Sequence, residues 1–210
     1  MSGPSATCPG CGAKIDFRWS SAVQTTCPFC KSILVRHDVD LTKVGEVGDL
    51  PPDPSPIQLG STGVYARIGF TVVGRIMYEY ERGTWNEWHL RSDDAASAWL
   101  SDAMAEYAVS RRAEVRGLPP AERVAVGQMY PWQGRTYKAA TLTTAHYRGV
   151  EGELPFECWN KRDVLFVDLD AGDGHFGTLD YGDEPPTLYL GEYVDFDDLH
   201  LGNLRKIEGW

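Results

Sequence analysis

The sequence lacks any apolar run that approaches the roughly 20 residues needed to span a bilayer. Its first ten residues, MSGPSATCPG, have no charged region followed by an apolar one, as a secretory signal would. Basic residues are also in deficit, because 20 Lys and Arg stand against 30 Asp and Glu. These absences predict a cytoplasmic protein without direct membrane insertion, and the net charge of −10 makes nucleic acid an unfavourable partner.

Motifs of common catalytic and nucleotide sites are missing or incomplete. The five histidines show no metal-ligand spacing, and the chain has no nucleophile elbow and no Walker loop. GDGHFG has the glycine spacing of a dinucleotide loop, but TLDYGDEPP follows it where a helix is needed, so we predict a hairpin. The same loop fails the calcium motif, because Asp173 replaces its glycine and Leu179 its glutamate.

Four of the five cysteines form two C-P-x-C pairs, Cys8 with Cys11 and Cys27 with Cys30. In a reducing compartment this spacing indicates a metal site, and zinc favours such a set of four thiolates. Four thiolates leave no open position for water or substrate, so we predict a structural Zn²⁺ ion. A rubredoxin-like iron site and a redox dithiol are the alternatives. Cys158 is expected to be a buried, unreactive side chain.

Short apolar runs bounded by Gly, Pro and Asp predict a mostly β fold. We expect a zinc ribbon over residues 1–36, a proline-rich linker or arm over 37–58, and a β-rich domain over 59–210. The domain is expected to be an all-β barrel or sandwich. A weak internal echo suggests two half-barrels, about 59–116 and 117–210.

The segment from Ala98 to Ser110 is ambiguous, since its alanines and methionine favour helix while the neighbouring pattern favours strand. We expect a strand followed by a loop there.

The segment TWNEW places Glu87 between Trp85 and Trp88, and burial would raise the pKa of such a carboxyl group. The alternative is that Trp88 packs in the core while Glu87 faces solvent or pairs with an Arg. These three are the candidate ligand- or partner-binding residues, and no catalytic residue is predicted.

Several segments, CPGCGAKIDFRW, FTVVGRI, GTWNEWHL, GELPF, LDYGD and YLGEYV, resemble the bacterial domain-of-unknown-function family 4178. The resemblance covers nearly the whole chain and implies a zinc ribbon followed by a β-rich domain. It also implies genes nearby for polyamine aminopropyltransferase-like proteins and for small membrane proteins linked to envelope stress. It supplies no catalytic residues. The sequence departs from the family pattern at Ala95 and Ala105, where glycines are usual.

The expected function is that of a non-enzymatic cytosolic adaptor whose acidic, aromatic-rich domain binds a protein partner, in an envelope-stress or polyamine-linked system. The alternative is a binder of a small cation such as a polyamine, or an enzyme acting on one. A third hypothesis is that the basic ribbon binds nucleic acid, as a zinc finger does. A closed pocket lined by Trp85, Glu87 and neighbouring acids would favour the cation binder, and a flat aromatic patch would favour the adaptor.

Overall fold

The computed structural model describes residues 4–37, 40–47, 50–51, 54–94, 96–158 and 162–206. Ala95, one of the two departures from the family pattern, lies outside them. The described chain is mostly β, as the sequence predicts, with three sheets and two short 3₁₀ helices at Ala121–Arg123 and Asp197–Leu199. Nowhere in these residues is there a helix of the length and apolarity needed to cross a membrane.

The N-terminal part forms two small sheets around the paired cysteines. Its strands are β1 (Ser5–Thr7), β2 (Lys14–Asp16), β3 (Gln24–Thr26), β4 (Ser32–His37) and β5 (Asp40–Glu46). β1 pairs with β2, and β4 lies between β3 and β5. Apolar residues at alternate positions, Ile15, Phe17 and Trp19, pack against Cys8 and Cys27 in one small core. β5 therefore extends the ordered ribbon into the 37–58 segment expected to be a linker.

A single ten-stranded antiparallel sheet forms the rest of the molecule. Its strands are β6 (Thr62–Tyr65), β7 (Ile68–Tyr80), β8 (Gly83–Ser92), β9 (Ser97–Ala103), β10 (Glu106–Arg112), β11 (Met129–Trp132), β12 (Arg135–Gly152), β13 (Asp163–Asp170), β14 (His175–Asp180) and β15 (Thr187–Val194). The order is β11-β12-β13-β14-β15-β10-β9-β8-β7-β6, and β12 also pairs with β7. This additional pairing closes eight strands into a barrel.

Each half of the sequence contributes four consecutive strands to the barrel, β7–β10 from one half and β12–β15 from the other. β12 is long enough to close the ring, because its first part pairs with β13 and its last part with β7. The segment from Ala98 to Ser110 forms β9 and β10 joined by a tight turn, rather than a strand followed by a loop. Pairing with β8 on one side and β15 on the other stabilises both strands and overrides the helical propensity of their alanines.

The two faces of the barrel wall are buried in different ways. On β8, Trp88 and Leu90 face outward into a core that includes Ile57 from the proline-rich arm and Leu199 from the C-terminal segment. A second outer core lies over β12–β15, where the connector before β11 covers Tyr137 and its neighbours. Covering the wall from outside leaves the inner faces of the strands to line a lumen.

The ribbon docks on the barrel through the GELP segment. The carboxylate of Glu153, which is only 5% exposed, accepts hydrogen bonds from the backbone N–H groups of Arg18 and Trp19, each 2.7 Å long. The Leu154 carbonyl oxygen accepts hydrogen bonds from the N–H groups of Val23 and Gln24, and the Leu154 N–H donates to the Gln24 carbonyl oxygen. These contacts hold the ribbon against the end of the barrel where β12 finishes.

A buried histidine connects the ribbon to the inside of the barrel. His89 Nδ1–H donates to the backbone carbonyl oxygen of Glu153 (2.9 Å), and the Ser97 hydroxyl donates to Nε2 (2.9 Å). The ring lies between Trp19 of the ribbon, at 4.9 Å, and Trp99 of the barrel, at 5.1 Å. Burial lowers the pKa of His89 to about 4, so the imidazole stays neutral in this aromatic layer.

Candidate functional site

The barrel lumen holds a cavity of about 430 Å³. Its wall extends from Arg82 and Met104, at the β7–β8 and β9–β10 turns, to Trp99 and Phe156 near the ribbon. Met104 is 92% exposed, so the mouth of the cavity lies at the hairpin turns. The ribbon lies towards the opposite end, because Ile33 of β4 packs in the same core cluster as Trp99.

Aromatic rings form much of the lumen wall. Tyr78 stacks on Trp85 with ring centroids 5.0 Å apart, and both make edge contacts with Phe166 at 5.0 and 5.7 Å. Phe176 and Tyr193 form a second pair, 5.2 Å apart, across β14 and β15. The π faces of such rings attract cations, most strongly where water is excluded.

Glu87 lies on the inner face of β8, between these rings. Its carboxylate accepts a hydrogen bond from Trp85 Nε1 (3.1 Å), and the Ser101 hydroxyl lies 2.9 and 2.8 Å from its two oxygens. Burial raises the pKa of Glu87 to about 7, and the charges of Asp168 and Asp180 act in the same direction. The pKa rises although the hydrogen bonds oppose it, because desolvation is the larger effect.

Two further carboxyl groups face the lumen from the opposite half of the barrel. The Thr141 hydroxyl donates to Asp168 (2.6 Å), and the Gly182 N–H donates to Asp180 (2.7 Å). Desolvation by the surrounding wall raises the pKa of Asp168, although its side chain is exposed near the mouth, and burial raises the pKa of Asp180 to about 6. Phe166 pairs with Asp180 and Asp168 with Thr178, so the two acids are diagonal neighbours roughly 7–8 Å apart.

The charges of the lumen are therefore strongly unbalanced. Glu87, Asp168 and Asp180, from β8, β13 and β14, face one aromatic cavity, and Glu106 of β10 also lines it. In the wall that the structure describes, Arg82 at the mouth is the one basic side chain. Buried carboxylates that repel one another are stabilised either by taking up protons or by binding a cation.

The four paired cysteines form a cluster suited to a tetrahedral metal ion. Their sulfur atoms all lie within 4.8 Å of one another, with Cys8 and Cys30 at 3.7 Å and Cys11 and Cys27 at 3.8 Å. A tetrahedron with metal–sulfur bonds of about 2.3 Å has edges of about 3.8 Å, so the spacing fits. Hydrogen bonds from Ser32 lower the pKa of Cys30 to about 6, whereas desolvation and the neighbouring cysteines raise the pKa of Cys11 to about 12.

Comparison with protein-family models matches residues 58–196, more than half of the chain, to the family described as Domain of unknown function (DUF4178). The chain belongs to this family. The match spans β6 to β15 and therefore the whole DUF4178 barrel, whereas the cysteine cluster lies before it. No curated protein and no solved structure matches the chain.

The DUF4178 barrel brings together only part of the residue set chosen from TWNEW. Trp85 and Glu87 line the lumen, but Trp88 faces the outer core, where it is 1% exposed and the Arg75 guanidinium lies 4.9 Å above its ring. The period-two alternation of the strand separates them. Cys158 is half-buried rather than fully buried as expected, and desolvation raises its pKa to about 12, which favours the thiol over the thiolate.

Sequence reasoning did not assign Asp168 and Asp180 to the lumen. The twelve-residue calcium pattern that this loop fails to match begins at Asp168, near the end of β13, and Asp180 lies just beyond it. Alternation along β14 was the available signal, because Phe176, Thr178 and Asp180 share a face. It could not show that this face points into the same cavity as Glu87.

Glu87 is expected to make the folded state less stable as the pH rises. Its folded-state pKa of about 7 exceeds the ordinary 4.5, so the folded state binds more protons between these pH values. The resulting loss of unfolding free energy is on the order of 3 kcal/mol once the pH exceeds 7. Glu87→Gln should therefore be more stable than the wild type at pH 8 and nearly equal to it at pH 4.

Urea unfolding in amine-free buffer at pH 4, 6 and 8 measures this difference. Glu122→Gln, on the exposed 3₁₀ helix, is the control and should follow the wild type at each pH. A Glu87→Gln variant whose stability relative to the wild type did not change with pH would show that Glu87 is not desolvated.

Proposed function

We propose that the DUF4178 barrel binds a small organic cation in its lumen and that the N-terminal cysteines hold a structural Zn²⁺ ion. The observation that carries the first part is the placement of Glu87, Asp168 and Asp180 in one aromatic cavity. An ammonium group there would gain charge pairing with a carboxylate and cation–π contact with rings such as Trp85 and Tyr78. The acidic and aromatic groups line a cavity rather than a flat patch, so cation binding is favoured over the adaptor.

A ligand with two or more ammonium groups would match the carboxyl groups of the lumen better than a ligand with one. Asp168 and Asp180 are separated along the barrel wall, and Glu87 faces them from the other half of the barrel. A flexible diamine or triamine can pair its charges with separate carboxylates while its methylene groups contact the rings. Polyamines are the first ligands to test, because the family resemblance implies a polyamine-linked setting, in the cytoplasm and near envelope-stress genes.

Zinc is the ion we assign to the cysteine cluster. Four thiolates at tetrahedral spacing satisfy its preferred coordination and leave no position for water, so the ion would stabilise the ribbon without reacting. Cys8 and Cys27 lie in the ribbon core, so metal binding and folding of the ribbon are coupled. No catalytic step is assigned to either site.

Spermidine binding measured by calorimetry and by thermal shift tests the proposal. We expect saturable binding that NaCl or MgCl₂ at equal ionic strength does not reproduce. A concentration of 100 times the Kd should add about 2.7 kcal/mol to the unfolding free energy. Affinity should increase from pH 6 to pH 8, because Glu87, with a pKa of about 7, must lose its proton to pair with the ammonium group.

Glu87→Gln is the variant that tests the site. Loss of a charged hydrogen-bond partner should weaken spermidine binding roughly 10- to 100-fold. Glu122→Gln removes the same charge from the outside of the molecule and should bind as the wild type does. If both variants weakened spermidine binding equally, the effect would come from the net charge of the protein rather than from the lumen. If none of spermidine, putrescine and tetramethylammonium showed saturable binding, the proposal would be refuted.

A further inference from the structure

The β9–β10 turn at the mouth of the lumen conflicts with the conformational preferences of its residues. Met104 and Ala105 connect the strands as a two-residue turn, with φ values of 54° and 66°. This left-handed conformation suits Asn-Gly and is unfavourable for residues with larger side chains. Met104 gains no packing in return, because its side chain is 92% exposed. The Ala66–Arg67 turn between β6 and β7 has the same conformation, with φ values of 50° and 65°, so the exposed methionine distinguishes the β9–β10 turn more than its backbone does.

Two other exposed apolar side chains lie at the same opening. Leu142 on β12 is 39% exposed and Tyr193 on β15 is 56% exposed, and both line the cavity with Met104. We call these three residues the mouth rim. A ligand held within the lumen would not cover the outward surface of Met104, whereas a macromolecule placed over the mouth would.

Charge limits the class of macromolecule that can cover the mouth rim. Glu106 and Asp168 line the cavity near the opening, against the single Arg82, in a chain of net charge −10. This field repels an anionic lipid surface and attracts a basic protein segment. Asp168 lies two residues from the end of β13, roughly 7 Å along the strand, and the four-carbon stem of a lysine can reach that depth.

We propose that the mouth rim is a docking surface for a protein segment that places a lysine side chain in the lumen. Met104, Leu142 and Tyr193 would contact apolar residues beside that lysine, and Asp168 would pair with its ammonium group. This inference rests on the proposed cation site and specifies a macromolecular source for the cation.

Fluorescein-labelled seven-residue peptides with a central lysine and flanking leucines are the probes, measured by fluorescence anisotropy. The matched peptide carries Nε-acetyl-lysine, which keeps the length and removes the charge. We expect the lysine peptide to bind at least ten times more tightly than n-butylamine, which carries the same ammonium group without the segment. Acetylation should abolish the binding.

The double variant Met104→Asn/Ala105→Gly separates docking from folding. It introduces the residues that the turn prefers, so the thermal midpoint should rise by about 2–4 °C. Peptide affinity should fall about tenfold, and by more than spermidine affinity does. Met129→Asn, at another exposed methionine (59%), is the control and should leave peptide affinity unchanged.

The two proposals fail in different ways. If neither spermidine nor n-butylamine binds, the cation site itself is wrong. If spermidine binds but the lysine peptide binds no better than n-butylamine, or the turn variant leaves peptide affinity unchanged, the docking surface alone is refuted. Binding to phosphatidylserine vesicles that the turn variant abolishes would also overturn it, in favour of a membrane surface.

Discussion

Replacing Cys27 with alanine is expected to abolish metal binding and to unfold the ribbon. Cys27 is fully buried and supplies one of the four sulfur ligands. Apparent binding free energies of structural zinc in small domains are about 10–16 kcal/mol at pH 7. A core as small as that of the ribbon cannot replace this contribution by burial of apolar surface. Elemental analysis should show loss of the metal, and amide hydrogen exchange should show loss of protection in β1 to β4.

Cys158→Ala is the matched control, because Cys158 is the cysteine outside the cluster. It should retain one metal ion per chain and a protected ribbon. Chelation of the wild type should reproduce the Cys27→Ala result without a mutation. A Cys27→Ala protein that kept both its metal and its protected ribbon amides would show that the cluster is not a four-cysteine site.

Replacing Glu153 with alanine is expected to release the ribbon from the barrel while leaving its metal bound. The buried carboxylate is the acceptor for two backbone N–H groups of the ribbon. Removing it leaves both donors without that acceptor, at a cost of about 1–3 kcal/mol each. Limited proteolysis should then cleave the segment between ribbon and barrel faster, and hydrogen exchange should increase at Arg18 and Trp19.

Glu153→Gln should give an intermediate result, because one carbonyl oxygen remains to accept one of the two bonds. Glu122→Ala, on the exposed 3₁₀ helix, should behave as the wild type. Metal content distinguishes this variant from Cys27→Ala, since every sulfur ligand is retained. Unchanged cleavage and exchange in Glu153→Ala would mean that the other ribbon contacts suffice to hold the two parts together.

Cys27→Ala and Glu153→Ala both test the contact between the ribbon and the barrel, the first through the ribbon and the second through the barrel. Trp19 contacts His89, His89 contacts Trp99, and Trp99 lines the lumen. The ribbon thus contributes to the closed end of the lumen, besides completing its own core. A metal ion held by the four cysteines would therefore support the barrel as well as the ribbon.

The sequence by itself determined the features that depend on local chemistry. The spacing of Cys8, Cys11, Cys27 and Cys30 predicted a four-thiolate cluster, because two C-x2-C pairs are typical of structural zinc sites. Short apolar runs bounded by Gly, Pro and Asp predicted the β class. The missing helix after GDGHFG predicted a hairpin there.

Only the tertiary structure decided the contents of the lumen. Pairing of β12 with β7 closes the barrel, and that closure turns Glu87, Asp168 and Asp180 towards one cavity. Strands β9 and β10 likewise depend on partners on both sides rather than on their own propensity. Strand pairing joins segments that are distant in the chain. Local sequence patterns therefore cannot predict which strand pairs with β7 to close the barrel.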